Sequence, residues 1–228
     1  MDGTQYAIGA SLFFLSSLLV VLTVRGAIRV ARSRNWTESM WTSGLGLAAA
    51  AMVVESVVFA GIVSPSLLEL YVFLSAGIVG VLSLGATRVI RRPRVERGYT
   101  AYILAACGLL AILCGGSPMS PSMVTGGIIT GNPPLLLIVI SSFITVPATV
   151  VLLASAAVSL RRSRRWETLL LVAGALILGA GGTLYIASFP VALYYAEFVG
   201  IILLFFGLVS LPHPAPAPMP QAGGLAVP

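Results

Sequence analysis

The chain has 228 residues, of which 58% are hydrophobic and 9% charged, with a formal net charge of +6. A soluble domain carries about a quarter of its residues as Asp, Glu, Lys and Arg, so this balance excludes one and indicates an integral membrane protein whose solvent is the bilayer. All 13 cationic residues are Arg, and all lie in short segments between apolar runs; that placement is an orientation signal and argues against nucleic acid as a partner.

At ~20 residues per span the length accommodates about seven helices with short loops. Tyr6 to Val24 is the first, closed by Arg25, Arg29, Arg32 and Arg34, which put its C-terminal end in the cytoplasm and the N-terminus outside. Asp2, with no basic residue ahead of this run, is the reverse of a secretory signal, so the first helix is expected to stay in the mature protein. Trp36 and Trp41 suit the headgroup region, and the second span is expected from about Met40 to Val63, ending at Ser64-Pro65. Its Gly44, Gly46 and Ala48 to Ala51 would let another helix approach closely, because association in lipid relies on packing.

The third span, Leu67 to about Ile90, carries Gly77, Gly80 and Gly85 and leads into Arg88, Arg91, Arg92, Arg94 and Arg97. No charge follows from Gly98 to Leu160. This stretch must hold a fourth span, Tyr99 to Cys114, and an external loop, Gly115 to Pro133, whose Ser-Pro, Gly-Gly and Asn-Pro-Pro punctuation is too broken for a helix. That loop reads as a lid or as disorder. Pro134 to Leu160 is the fifth span, with Pro147 expected to kink it; Arg161, Arg162, Arg164 and Arg165 end it inside. The sixth, Trp166 to about Ala187, is rich in Gly and turns at Ser188-Phe189-Pro190, and the seventh runs from Val191 to Leu211. Pro212 to Pro228 is an uncharged Pro/Ala-rich tail, expected to be cytoplasmic and extended.

Arg32-Ser33-Arg34-Asn35-Trp36 returns as Arg162-Ser163-Arg164-Arg165-Trp166, and in each copy a Gly (Gly44, Gly174) follows at the same distance from the Trp. Ser64-Pro65 and Ser188-Phe189-Pro190 close the second helix of each copy, and Tyr71 and Tyr195 stand early in the third. The expectation is an all-α polytopic bundle in the cell membrane, built as three helices (about 5–90), a linker helix (about 99–114) and three more (about 134–211). An offset of four helices makes the copies parallel, with their axis along the membrane normal.

That architecture resembles the SWEET-type facilitators and related PQ-loop proteins, and also the microbial rhodopsins. Its only Pro-Gln is Pro220-Gln221 in the tail, and the chain has no Lys to hold retinal as a Schiff base, so a retinylidene pigment is excluded. Leu70-Tyr71 through Gly85 and Gly181-Gly182 through Gly207 are similar to a group of uncharacterised prokaryotic seven-helix membrane proteins. The likeness covers about half of the chain, rests on Gly and aromatic positions, and implies the fold alone.

The single His is His213 in the tail and the single Asp is Asp2. Neither a bis-His haem, an aspartyl dyad nor a zinc site can be assembled, so no enzyme, cofactor or metal is expected. Cys107 and Cys114 are separated by ~10 Å of helical rise and cannot bridge each other. What remains is two intramembrane carboxylates, Glu55 and Glu197, each expected ~10 to 14 Å below the outer end of its helix. A buried charge in a span costs at least ~2.5 kcal/mol and usually faces a bundle interior or wet cavity. Tyr71, Ser75, Tyr185, Tyr194 and Tyr195 are near enough in sequence to supply hydroxyls. The plain alternative is that each Glu is protonated and bonds a neighbouring helix as glue. Glu69 reads as interfacial, and Glu38, Glu96 and Glu167 as weak surface partners of the Arg clusters.

Three functions fit. In a small-solute or proton-coupled carrier, Glu55 and Glu197 share a polar site, and as neighbours they cannot both ionise easily, so one can hold a proton. In a non-catalytic subunit of a membrane complex, or a homo-oligomer, the Gly-rich faces of the second and sixth helices dock a partner. In a sensor, an apolar ligand is bound without a covalent link under the loop Gly115 to Pro133.

Overall fold

The computed structural model describes residues 3–87, 93–117, 119–125, 127–129, 131, 133–163, 169–170, 172–174, 176–177, 196, 199–203 and 206. They form five long helices: α1 (Gly3–Ser33), α2 (Trp36–Phe59), α3 (Pro65–Thr87), α4 (Pro93–Gly116) and α5 (Leu135–Ser163). All five are long and apolar enough to cross a bilayer, as expected of a membrane protein. The described residues from 169 to 206 are helical throughout. Most of the sixth and seventh spans, Arg88 to Arg92, Arg164, Arg165 and the tail lie outside the described residues, so the superposition of the two repeat halves does too.

The helix ends follow local chemistry and shift several expected boundaries. α2 begins four residues early because Asn35 is its N-cap, its side chain accepting from the Thr37 N–H at 3.0 Å. It stops at Phe59, short of Val63. Gly61 at φ 91° lets its own N–H bond Val58 O at 3.0 Å while Ile62 N–H reaches back to Val57 O at 3.2 Å, a Gly-terminated stop that a side chain at that φ would strain. α3 starts where Pro65 follows Ser64, whose Oγ accepts from the Leu67 N–H at 3.3 Å. α4 extends at both ends of the expected Tyr99 to Cys114 and takes Arg94, Glu96 and Arg97 onto its first turns. α5 runs unbroken through Pro147.

Neighbouring helices are antiparallel. Gly9 faces Phe59 and Gly26 faces Thr42 across α1 and α2, Gly44 faces Leu82 and Gly85 faces Trp41 across α2 and α3, and Ser83 meets Tyr99 across α3 and α4. α5 lies along α3 in the same direction, Ile144 beside Gly80 and Ser155 beside Ala86. This up-and-down order places Arg29, Arg32, Arg34, Arg94 and Arg161 at one end of the bundle, the arginine end. There the chain turns from α1 to α2 through Arg34, at φ 48°, and Arg29 pairs with Glu38 at 3.1 Å.

Glycines on α2 and α3 do the close packing. A Cβ on Gly44 would lie 2.5 Å from Leu82 Cδ2, and one on Gly85 would lie 2.6 Å from Trp41 Cδ1. The Trp41 ring fills the notch at Gly85, near the arginine end of both helices. Trp36 stays exposed. Gly80 sits where three helices meet, its Cβ position 3.0 Å from Ile144 and 3.5 Å from Ile103. One core cluster joins Leu12, Leu15, Leu19 and Leu22 of α1 to α2, Val79, Leu152 and Ile201; a second joins α2, α3, α4 and the start of α5.

The loop after α4 is folded, which answers the expectation of disorder. Pro121–Met123 is a single 3-10 turn, and Val124–Thr125 pairs antiparallel with Ile128–Ile129 in a hairpin. Met119, Met123 and Ile129 are buried in the second core cluster. Gly127 turns the hairpin at φ 81°, and a Cβ there would lie 3.1 Å from Phe59 O, so the turn is seated on the end of α2. We refer to this as the hairpin end.

Candidate functional site

Glu55 lies one turn inside the hairpin end of α2, four residues before its last residue, ~6 Å along the axis. The early stop at Gly61 makes it shallower in its helix than the expected ~10 to 14 Å. Its residue exposure is 3%. The α2 face that carries it is Ala48, Met52, Glu55 and Phe59, the i, i+4, i+7 ridge that packs toward α1, with Val54 and Val58 beside it toward α3.

The Tyr71 hydroxyl donates to the Glu55 carboxyl group. Tyr71 reaches it because Pro65 starts α3 directly after the turn, which sets Tyr71 two turns into α3 on its buried face, in one cluster with Val58, Met119, Met123 and Ile129. The second carboxyl oxygen, Oε2, is buried and has no hydrogen-bond partner among the described residues. A polar atom left open in this way costs about 1 to 3 kcal/mol, and more when charged. Among the described residues the carboxyl group is thus half-satisfied, and it lies one turn inside the end of α2 on which the hairpin is seated.

Ser16 is the residue that sequence reasoning missed. Its Oγ is the other buried side-chain oxygen without a partner among the described residues. Many helix hydroxyls here turn back on their own preceding turn: Ser17 to Phe13 O at 2.9 Å, Thr23 to Leu19 O at 2.8 Å, Ser56 to Met52 O at 2.7 Å. Ser16 does not. The pairing of Gly9 with Phe59 and Gly26 with Thr42 puts Ser16 level with about Met52, within roughly 5 Å of the depth of Glu55. The available signal was its position on the stripe Leu12, Leu15, Leu19, Leu22, where a polar residue is costly in lipid.

The other expected groups separate. Glu197, Tyr185, Tyr194 and Tyr195 lie outside the described residues. Ser75 is half-buried one turn beyond Tyr71, and Glu69 is half-buried near the hairpin end. Among the topology residues, Arg32 and Arg34 are exposed at the arginine end. Arg162 is in the last turn of α5, while Arg91, Arg92, Arg164 and Arg165 are outside the described residues. Cys107 and Cys114 are both free thiols. No protein-family model matches the chain, and no curated protein or solved structure is detectably similar to it.

Proposed function

We propose that the chain is a seven-span protein of the cell membrane, N-terminus outside and arginine end in the cytoplasm, that works as a proton-coupled carrier of a small solute. The observation that carries this is Glu55, buried in a span with Tyr71 on its carboxyl group and Oε2 without a partner among the described residues. A residue kept only as glue between helices would have its oxygens satisfied, because an orphaned polar atom in a membrane interior costs more than the contact returns. An open oxygen beside Tyr71, with Ser16 at similar depth, suits a group that gains and loses a proton as a polar solute enters. In this proposal Glu197 is the second carboxylate: in the sequence it stands four positions before Ile201, which is 1% exposed in the core cluster of α1, α2, α3 and α5. The two halves, three helices each about the peripheral α4, would rock about this site in alternation.

The scaffold alternative has less support on α2, where Gly44 is filled from within by Leu82 and Gly46 faces Thr23 of α1. The test is reconstitution in liposomes with a pH-sensitive dye inside. A pH step is applied with a panel of small sugars, amino acids and organic cations present one at a time. Native protein should give solute-dependent proton flux, and Glu55→Gln or Glu197→Gln should lower it at least tenfold. Flux equal to that of empty liposomes for the whole panel would transfer the assignment to the scaffold.

A further inference from the structure

Pro147 stands inside α5 and has no N–H, so the carbonyl of Phe143, four residues earlier, loses the donor that a helix would give it. The Tyr102 hydroxyl of α4 donates to that carbonyl oxygen instead. Both side chains are on the outside of the bundle, Tyr102 39% and Phe143 57% exposed. There a bilayer presents hydrocarbon and no competing donor, so an open carbonyl would stay unsatisfied. One turn earlier on α4, the Tyr99 and Ser83 hydroxyls are 2.7 Å apart. Ser83 spends its own proton on Gly80 O at 2.6 Å, which leaves Tyr99 as the donor to α3. The two tyrosine rings are stacked, centroids 6.4 Å apart. α4 fully buries Ile103, Leu110 and Cys114 and packs Ala106, Cys107 and Leu113 against the same cluster; these hydroxyls add its directional contacts to α3 and α5.

We infer that Tyr102 is the latch of a hinge at Pro147. α4 is a brace: Tyr99 fixes it to α3 and Tyr102 ties it to the segment of α5 before the proline, while Ser155 donates to Ala86 O at 3.0 Å and holds the segment after it to α3. When the Tyr102 hydroxyl leaves, Phe143 O has no protein donor and α5 is free to bend at Pro147. This device stands whether or not Glu55 carries a proton.

A double-mutant cycle on the full chain tests it, with folding equilibria measured in bicelles. Tyr102→Phe removes the hydroxyl and keeps the ring, and should shift the equilibrium toward unfolding by about 3- to 15-fold, the range of single interhelical hydrogen bonds in membranes. With Pro147→Ala also present, the restored amide takes Phe143 O and the same change should shift it less than about twofold. Tyr99→Phe is the control and should cost the same with or without Pro147→Ala. By hydrogen exchange, Tyr102→Phe alone should speed the amides of Ala148 to Val151 severalfold and leave those of α2 unchanged. An equal cost of Tyr102→Phe in both backgrounds, or faster exchange confined to α4, would overturn the latch.

Discussion

Replacing Gly44 by Ala inserts one methyl group between α2 and α3 and measures how tightly they meet. The new Cβ would lie 2.5 Å from Leu82 Cδ2 and 2.7 Å from Leu82 Cγ, contacts that real Cβ atoms do not tolerate. Leu82 is 1% exposed and has little room to retreat, so overpacking should cost about 1 to 3 kcal/mol. The helix also gains about 1 kcal/mol when Gly becomes Ala, which offsets part of this. Gly46→Ala isolates the packing term: it carries the same propensity gain, yet its Cβ meets only Thr23 Cγ2, at an ordinary 3.5 Å. Gly85→Ala, 2.6 Å from Trp41, and Gly77→Ala, 3.6 Å from Leu47, form a second pair on α3. In each pair the first variant should be less stable than the second by about 1 to 3 kcal/mol, roughly a 5- to 150-fold difference in the unfolding equilibrium. Reversible unfolding in mixed micelles, followed by near-UV circular dichroism, reads this directly. If Gly46→Ala costs as much as Gly44→Ala, the glycines act through backbone freedom and the interdigitated α2–α3 contact is wrong.

The remaining predictions concern the site, the hairpin and the charges. Tyr71→Phe removes a donor on Glu55 and should lower stability by about 1 to 2 kcal/mol, whereas in a Glu55→Gln background its cost should change measurably; strict additivity would show that the two do not touch. Gly127→Val places a β-branched residue at φ 81° and 3.1 Å from Phe59 O, so the hairpin should loosen by about 1 to 2 kcal/mol, seen as faster amide exchange at 124–129 with α3 unchanged. Glu38→Ala should cost no more than about 1 kcal/mol and less in high salt, since Arg29 and Glu38 remain 25% and 22% exposed; a larger, salt-independent loss would point to a buried role. With Cys107 and Cys114 replaced, Ser120→Cys should react with an impermeant maleimide added outside cells and Arg94→Cys should not; the reverse pattern would invert the orientation.

The sequence alone sufficed for the material of this protein: apolar stretches of spanning length, their division by Arg, and the glycines of α2 and α3 as sites of close approach. These are local properties, since a backbone in hydrocarbon must bond itself and becomes a helix wherever the side chains permit it. Even the stop of α2 was written locally, in Gly61, though the hydropathy of Ile62 and Val63 concealed it. The hypothesis about Glu55 began there too, as a charge where charge is costly. Which groups meet was decided by tertiary structure. Nothing in the pattern shows that Leu82 fills Gly44, that the Trp41 ring packs on Gly85, that Tyr71 closes on Glu55 while Ser16 Oγ finds no partner among the described residues, or that Tyr102 finds the carbonyl freed by Pro147. In water an amphipathic stripe announces the buried face of a helix. In a bilayer, lipid is as apolar as the core, so both faces read alike and only the fit of side chains selects the one that turns inward.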